Sequence, residues 1–229
     1  MPAELRDEAV VHVFYLHGFA SSPQSGKAGY FRDRLAGYGL PLHVPDFNQP
    51  DFSTLTVTRM LGQLDEAIRS LAPGPVALIG SSLGGFLAVH AAAKEIGGEH
   101  HPLTRVVLLA PAVDFCSGRD GWLSDVKLEE WRRTDRRDVF HYAEGRAYAM
   151  RFALFEDGHT YDAFAADVPM PVLAFQGTRD TVVRPASVQA WASSRHNVSL
   201  RLIDDDHQLQ EHLDEVWRES AEFLELREA

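Results

Sequence analysis

Six short apolar runs, rich in β-branched residues and separated by amphipathic stretches, constrain this chain more than any other feature. They cover residues 10–16, 42–47, 75–80, 105–110, 171–175 and 198–203. Runs this short and this continuously apolar suit strands covered on both faces, as in a parallel sheet. Between them, apolar residues recur at helical spacing. Tyr30, Phe31, Leu35 and Tyr38 do so within 27–38, and Leu61, Leu64, Ile68 and Leu71 within 55–71. Residues 83–96 are rich in alanine, and 209–226 set Leu213, Val216, Trp217 and Leu224 at helical intervals. Strand and helix in alternation predict the α/β class, with a mostly parallel sheet of about six strands and helices on both faces. The 229 residues suit a single domain spanning 1–229.

The alternation breaks once, at 115–166, which contains no convincing strand. This stretch holds 10 of the 23 aromatic residues in 52 positions, so aromatics are about two and a half times denser here than elsewhere. Two compatible readings follow: a helical insertion packed on the sheet domain, and a cap that shapes an apolar pocket. Residues 129–138 mix four acids with four arginines, as a solvated helix face laced with ion pairs does. An anion site built from Arg132, Arg133, Arg136 and Arg137 is the alternative.

Charge and cysteine usage exclude several classes of function. With 33 acidic against 22 basic residues the net charge is −11, which repels a phosphate backbone and argues against a nucleic-acid partner. The one cysteine, Cys116, excludes an internal disulfide and any multi-cysteine metal centre. The first eight residues carry three acids and no basic-then-apolar run, so they do not read as a secretory signal. No stretch approaches the roughly 18 apolar residues that span a bilayer. A cytoplasmic protein acting on a small molecule is expected, and nothing in the sequence sets its oligomeric state.

Gly80-Ser81-Ser82-Leu83-Gly84 reads G-x-S-x-G between an apolar run and a helical one. A turn from strand to helix tight enough to expose a serine hydroxyl strains the serine backbone and needs small residues two positions either side. Ser82 has glycines there, whereas Ser81 has Ile79 and Leu83. A hydroxyl needs a base to take its proton and an acid to orient that base. On a doubly wound sheet such groups come from loops at the carboxyl ends of strands. The loop after 171–175 offers Asp180, and the loop after 198–203 offers His207. Asp114, after the fourth run, is the alternative acid. The order Ser82, Asp180, His207 is the order of nucleophile, acid and base in a hydrolase of this topology. His207 and His212 are five apart and do not share a helix face, so no metal site is expected, and His100-His101 reads as an exposed loop.

Acyl transfer also requires two N–H donors for the tetrahedral oxyanion, each worth about 3 kcal/mol of barrier. The N–H of Leu83 follows the serine. The loop after the first run, His17-Gly18-Phe19, presents the N–H of Phe19. Gly18 to Lys27 is too long for a phosphate-cradling loop, and Gly80 to Gly85 lacks the opening of a dinucleotide turn.

The segments YLHGFASSP, GSSLGGFLA, QGTRDTVV and DDDHQL together resemble the α/β-hydrolase superfamily, and more narrowly its small bacterial serine esterases of the YqiA type. The resemblance runs over nearly the whole chain and is loose only in 115–166. It implies a reduced α/β-hydrolase fold that starts at the third strand of larger members, with a helical cap insertion at about 115–166. It implies Ser82 as nucleophile, Asp180 as acid, His207 as base, and the N–H groups of Phe19 and Leu83 as oxyanion hole.

The expected activity is hydrolysis of carboxylic esters or thioesters through an acyl-enzyme on Ser82, without cofactor or metal. An acyltransferase, a C–C hydrolase or a lyase using the same trio is the alternative, because fold does not fix chemistry; a non-enzymatic binding module is a third. The substrate pocket is expected to be lined by Phe19, Phe115, Trp122, Phe152 and Phe155, so that kcat/KM rises across acetyl, butyryl and hexanoyl esters.

Overall fold

A computed structural model describes residues 12–117 and 125–226. Six parallel strands form one sheet in the order β2-β1-β3-β4-β7-β8. They are β1 (His12–Leu16), β2 (Leu42–His43), β3 (Val76–Ser81), β4 (Leu103–Leu109), β7 (Val172–Gly177) and β8 (Val198–Ile203). Each coincides with one expected run. The second is reduced to two residues, paired with Val13 and Phe14 of β1 at the sheet's edge.

Residues on alternate sides of each strand feed separate cores. Val13, Tyr15, Ala77, Ile79, Val107 and Leu109 face one layer, made by α1 (Gly26–Ala36) and α7 (Leu213–Phe223). Phe14, Leu16, Leu78, Val106 and Leu108 face the other, made by α2 (Val57–Arg69), α3 (Leu83–Ala93) and α6 (Pro185–Ser193). Helix α3 is buried along all but its last residue, which its alanines permit without crowding the strands beneath. The chain runs outward from β1 to β2, then returns to place β3 on the other side of β1. The carboxyl ends of β1 and β3 therefore lie at a topological switch point, where open α/β sheets place their sites. Helix α6 escapes the reading of the sequence, and His101 is buried rather than exposed, with Nε2 3.1 Å from the carbonyl of Leu71.

The insertion differs from expectation. Besides α4 (Asp125–Thr134) and α5 (Ala153–Gly158) it contains an antiparallel hairpin, β5 (Arg137–His141) paired with β6 (Arg146–Met150). Only His141 and Met150 of its ten residues are fully buried, so no apolar run announces either strand. The arginine run is split, because α4 ends at Thr134 and Asp135 turns the chain in a left-handed conformation (φ 49°). Its arginines do not converge: Arg132 pairs with Glu129 at 3.2 Å and Arg136 with Asp138 at 3.1 Å. The hairpin docks on the loop after β1 and on the short turn at 52–54. The Tyr142 N–H donates to the Ala20 carbonyl (3.2 Å), the Arg151 N–H donates to the Ser53 carbonyl (2.9 Å), and Phe52 packs edge-on against His141.

Among the described residues no helix is long and apolar enough to cross a membrane.

The buried face of α1 carries an unusual member, Lys27, only 8% exposed beside Ala28, Phe31 and Leu35. Burial lowers its ammonium pKa to about 8, against the opposing fields of Asp180, Asp206 and Asp205. In the unfolded chain the group titrates near 10.4. Below pH 8 both states hold the proton, and the buried charge opposes folding by on the order of 3 kcal/mol. Between the two values the folded protein sheds a proton that the unfolded chain keeps, so stability rises with pH. Lys27→Met should therefore raise the urea midpoint at pH 7, and its advantage should fade as pH climbs from 8 towards 10.5. A variant no more stable than wild type at pH 7 would contradict this account.

Candidate active site

Strand β3 delivers Ser82 to the start of α3 in a strained conformation, φ 54° and ψ −115°. Few L-residues adopt such a backbone, and it persists only where its surroundings hold it. Here the Ser82 N–H donates to the Leu109 carbonyl at 2.9 Å, and the Ser82 carbonyl accepts from the N–H groups of Gly85, Phe86 and Ala112. The flanking glycines are sterically required. A Cβ on Gly80 would stand 2.4 Å from the Gly84 carbonyl oxygen, and one on Gly84 would stand 1.9 Å from the Leu16 carbonyl oxygen.

The loops after β7 and β8 bring Asp180 and His207 to this serine. His207 Nε2 lies 3.1 Å from Ser82 Oγ, and His207 Nδ1 lies 2.8 Å from Asp180 Oδ2. The Asp180 side chain is fully buried and well supplied with donors. Its Oδ1 accepts from the N–H groups of Val182 and Val183 at 2.8 Å each, and its Oδ2 accepts from Gln176 Nε2 at 2.9 Å. Burial works to raise the carboxyl pKa, but the hydrogen bonds from His207, Val183 and Gln176 outweigh it and hold the group below its ordinary range. An ionised Asp180 accepts only, so Nδ1 of His207 carries the proton it donates. Nε2 then faces the serine O–H as an acceptor.

A second set of contacts fixes these two loops against each other. The Arg179 N–H donates to the Asp205 carbonyl at 3.0 Å, and the Arg179 guanidinium reaches the Asp204 side chain, the Asp204 carbonyl and Glu211. Asp205 is buried, and its carboxylate accepts from the Asp206 N–H (2.7 Å), the His212 N–H (3.2 Å) and His212 Nδ1 (3.1 Å). Of the three aspartates before His207, the middle one thus closes the loop around it. Ligand atoms of Asp205, Glu211 and His212 lie within 4.8 Å of one another. Their lone pairs serve these hydrogen bonds, however, and the Arg179 cation sits 2.8 Å from Glu211.

The loop after β1 approaches Ser82 closely, since a Cβ on Gly18 would stand 3.3 Å from the Ser82 Cβ. His17 anchors this loop: its Nδ1 donates to the Gly18 carbonyl (3.0 Å), and its Nε2 accepts from the Phe47 N–H (3.2 Å). Burial lowers the His17 pKa despite the Gly18 carbonyl, which favours the neutral ring that this pattern requires. Asn48 Nδ2 donates to the Ser21 carbonyl at 2.8 Å. The N–H of Leu83 opens α3, and among the described residues neither it nor the N–H of Phe19 has an acceptor.

Beside Ser82 lies a cavity of about 110 Å³. Phe19, Leu83, Ala112, Phe115, Val182 and Val183 give it apolar walls, and Asp114 and Arg184 are polar members of its lining. Of the four described residues among the five expected to line a pocket, Phe19 and Phe115 do so. Phe152 and Phe155 stack on each other with centroids 5.6 Å apart and pack against Trp131, inside the insertion rather than over the serine. Trp122 lies outside the described residues. Asp114 does not partner His207. The contribution of Val182, Val183 and Arg184 was missed; the clue was their position directly after Asp180, in a loop already assigned to the site.

Solved structures share this architecture. A protein from Agrobacterium vitis S4 described as a hydrolase superposes with a TM-score of 0.82 at 22% identity, over 97% of this chain and 90% of that one. Est1E from Butyrivibrio proteoclasticus with ferulic acid bound gives 0.78 at 20% identity, over 99% and 92%. Mouse alpha/beta hydrolase domain-containing protein 10 gives 0.78 at 18%, over 96% and 92%. No curated protein matches by sequence. The model of the uncharacterised protein family UPF0227 matches residues 12–224. The chain therefore belongs to UPF0227 and carries the α/β-hydrolase fold.

Proposed function

We propose that the chain is a serine hydrolase that cleaves carboxylic esters or thioesters through an acyl-enzyme on Ser82. The observation that carries this reading is the position of His207, whose Nε2 lies 3.1 Å from Ser82 Oγ while its Nδ1 lies 2.8 Å from Asp180. In the first half-reaction His207 takes the serine proton as Oγ attacks the carbonyl carbon. The oxyanion that forms is met by the N–H groups of Phe19 and Leu83, at the positive end of the α3 dipole. His207 then gives its proton to the departing alkoxide or thiolate. In the second half-reaction it takes a proton from water as the water oxygen adds to the acyl carbon, and as the intermediate collapses His207 returns that proton to Oγ with release of a carboxylic acid. Asp180 stays ionised throughout and holds the imidazole in its productive tautomer. Ferulic acid, bound to the structurally similar Est1E, is a carboxylic acid, the class of product that such a cycle releases.

Apolar side chains form most of the cavity wall beside Ser82, so an apolar acyl chain gains by entering it. Each methylene buried there gains about 0.8 kcal/mol, or roughly fourfold in affinity. With p-nitrophenyl esters, kcat/KM should rise from acetyl through butyryl to hexanoyl; a flat series would contradict an apolar acyl pocket beside Ser82. Ser82→Ala should lower kcat on the butyryl ester by on the order of 10⁶, because triad members act as a unit. A rate equal to that of wild type would remove Ser82 from the reaction.

A further inference from the structure

Gln176 is a polar side chain in β7, a strand buried along its whole length, and it is itself fully buried. A parallel strand covered on both faces favours apolar residues, and a buried amide there is costly unless it bonds. Its Nε2 donates to Asp180 Oδ2 at 2.9 Å, and towards the carbonyls of Gly177 at 3.1 Å and Val183 at 3.4 Å. The reverse orientation would set the amide oxygen against the carboxylate, so charge decides which atom faces Asp180. Oε1 finds no partner among the described residues. The contacts of the nitrogen are therefore what this amide contributes.

Those contacts close a ring around the acid. The Val183 N–H donates to Asp180 Oδ1 at 2.8 Å while its carbonyl faces Gln176, so one side chain spans the turn that carries Asp180. Oδ2 receives two donors, Gln176 Nε2 and His207 Nδ1, which fill both of its lone-pair directions. The carboxylate is thereby fixed against rotation. Sharing one oxygen also weakens its hold on the imidazole, because the positive end of the amide dipole faces the same atom. We propose that Gln176 is a positioning residue for the proton transfers: it aims Asp180 at His207 and lowers the pH at which His207 becomes a free base. The inference rests on the hydrolase reading above and deepens it. Without the amide, Asp180 would hold the imidazolium more tightly, and His207 would stay protonated to higher pH.

Other charged groups face this pair. Lys27 on α1 lies in the field of Asp180, with Asp206 and Asp205 acting on the same ammonium. Arg179 adjoins Asp180 in the chain and turns its guanidinium to Asp204 and Glu211, and His212 bonds to Asp205. Asp114 and Arg184 line the cavity beside Val183. An uncharged replacement at position 176 leaves all of these charges in place. Lys27, with its pKa lowered to about 8, titrates on the basic side of the profile.

The pH dependence of kcat/KM for p-nitrophenyl butyrate tests the inference, with wild type compared to Gln176→Leu, which removes the donor at similar volume. His207 and Asp180 titrate as a coupled pair, so the acid limb belongs to both. In Gln176→Leu its midpoint should move up by about half a pH unit or more. The plateau of kcat should fall by about tenfold with KM little changed. A residue that only packs the strand would alter stability or rate and leave the midpoint in place; an unmoved midpoint would overturn the inference. If the variant does not fold, wild type isotope-labelled at its glutamine amides is read by NMR instead. The Gln176 amide protons, assigned by contact with Val183, should shift with the midpoint of the acid limb, and protons that do not titrate would overturn the inference too. Labelling of wild-type Ser82 by a fluorophosphonate accompanies the assays. Labelling and turnover with an unmoved midpoint would sink this inference alone. Absence of both labelling and turnover would sink the hydrolase reading and this inference with it.

Discussion

Helix α3 begins flush against the end of β1, and the rest of the site depends on that contact. The Leu16 carbonyl occupies space that any side chain at position 84 would need. With glycine there, the helix N-terminus, the strained serine and the loop from His17 to Phe19 converge within a few ångströms. The backbone strain at Ser82, of the order of 1–3 kcal/mol for such conformations, is held by hydrogen bonds from both sides: Leu109 in the adjacent strand and Ala112 in the loop beyond it. A serine in a relaxed turn would point its hydroxyl elsewhere. Packing at one glycine thus sets where chemistry can occur.

The second determinant is electrostatic. Three carboxylates, Asp180, Asp205 and Asp206, cluster where the loops after β7 and β8 meet, and the buried ammonium of Lys27 lies within their field. Each carboxylate has a separate task. Asp180 is buried with donors on both oxygens and faces the imidazole, and Asp205 closes the His207 loop through His212. Asp206 accepts the Gln208 N–H at 2.7 Å and shapes the turn that follows. Arg179 joins the two loops outside the site. The imidazole is therefore positioned from two directions, by the acid it faces and by the loop that carries it.

Much of this was legible in the chain because the sheet is parallel and buried. The inner strands β1, β3, β4 and β7 are largely buried and stand out for that reason, whereas the edge strands β2 and β8 are partly exposed and carry weaker apolar runs. Gly80 and Gly84 mark the turn because no other residue fits, and the loops after β7 and β8 each offer one group suited to proton transfer. The hairpin of the insertion was invisible for the opposite physical reason. Its strands are mostly exposed, so Arg137, Asp138 and Arg146 stand where apolar residues would have declared a strand. The pocket was misjudged through the same segment. Aromatic density marked a core, and Phe152 and Phe155 pack around Trp131 within it. Other residues that line the cavity beside Ser82, Val182, Val183 and Arg184, follow Asp180 in a loop whose approach to Phe19 and Phe115 is a long-range contact that local pattern does not encode.

A small apolar cavity with a polar corner, a polarised serine and two N–H groups without acceptors suit a covalent acyl intermediate better than simple binding. Mass spectrometry of the protein quenched in acid during turnover of p-nitrophenyl butyrate tests that claim most directly. The account predicts a single added butyryl group, mapped to the peptide that contains Ser82. Turnover with no acylated peptide, or with the acyl group on another residue, would contradict it.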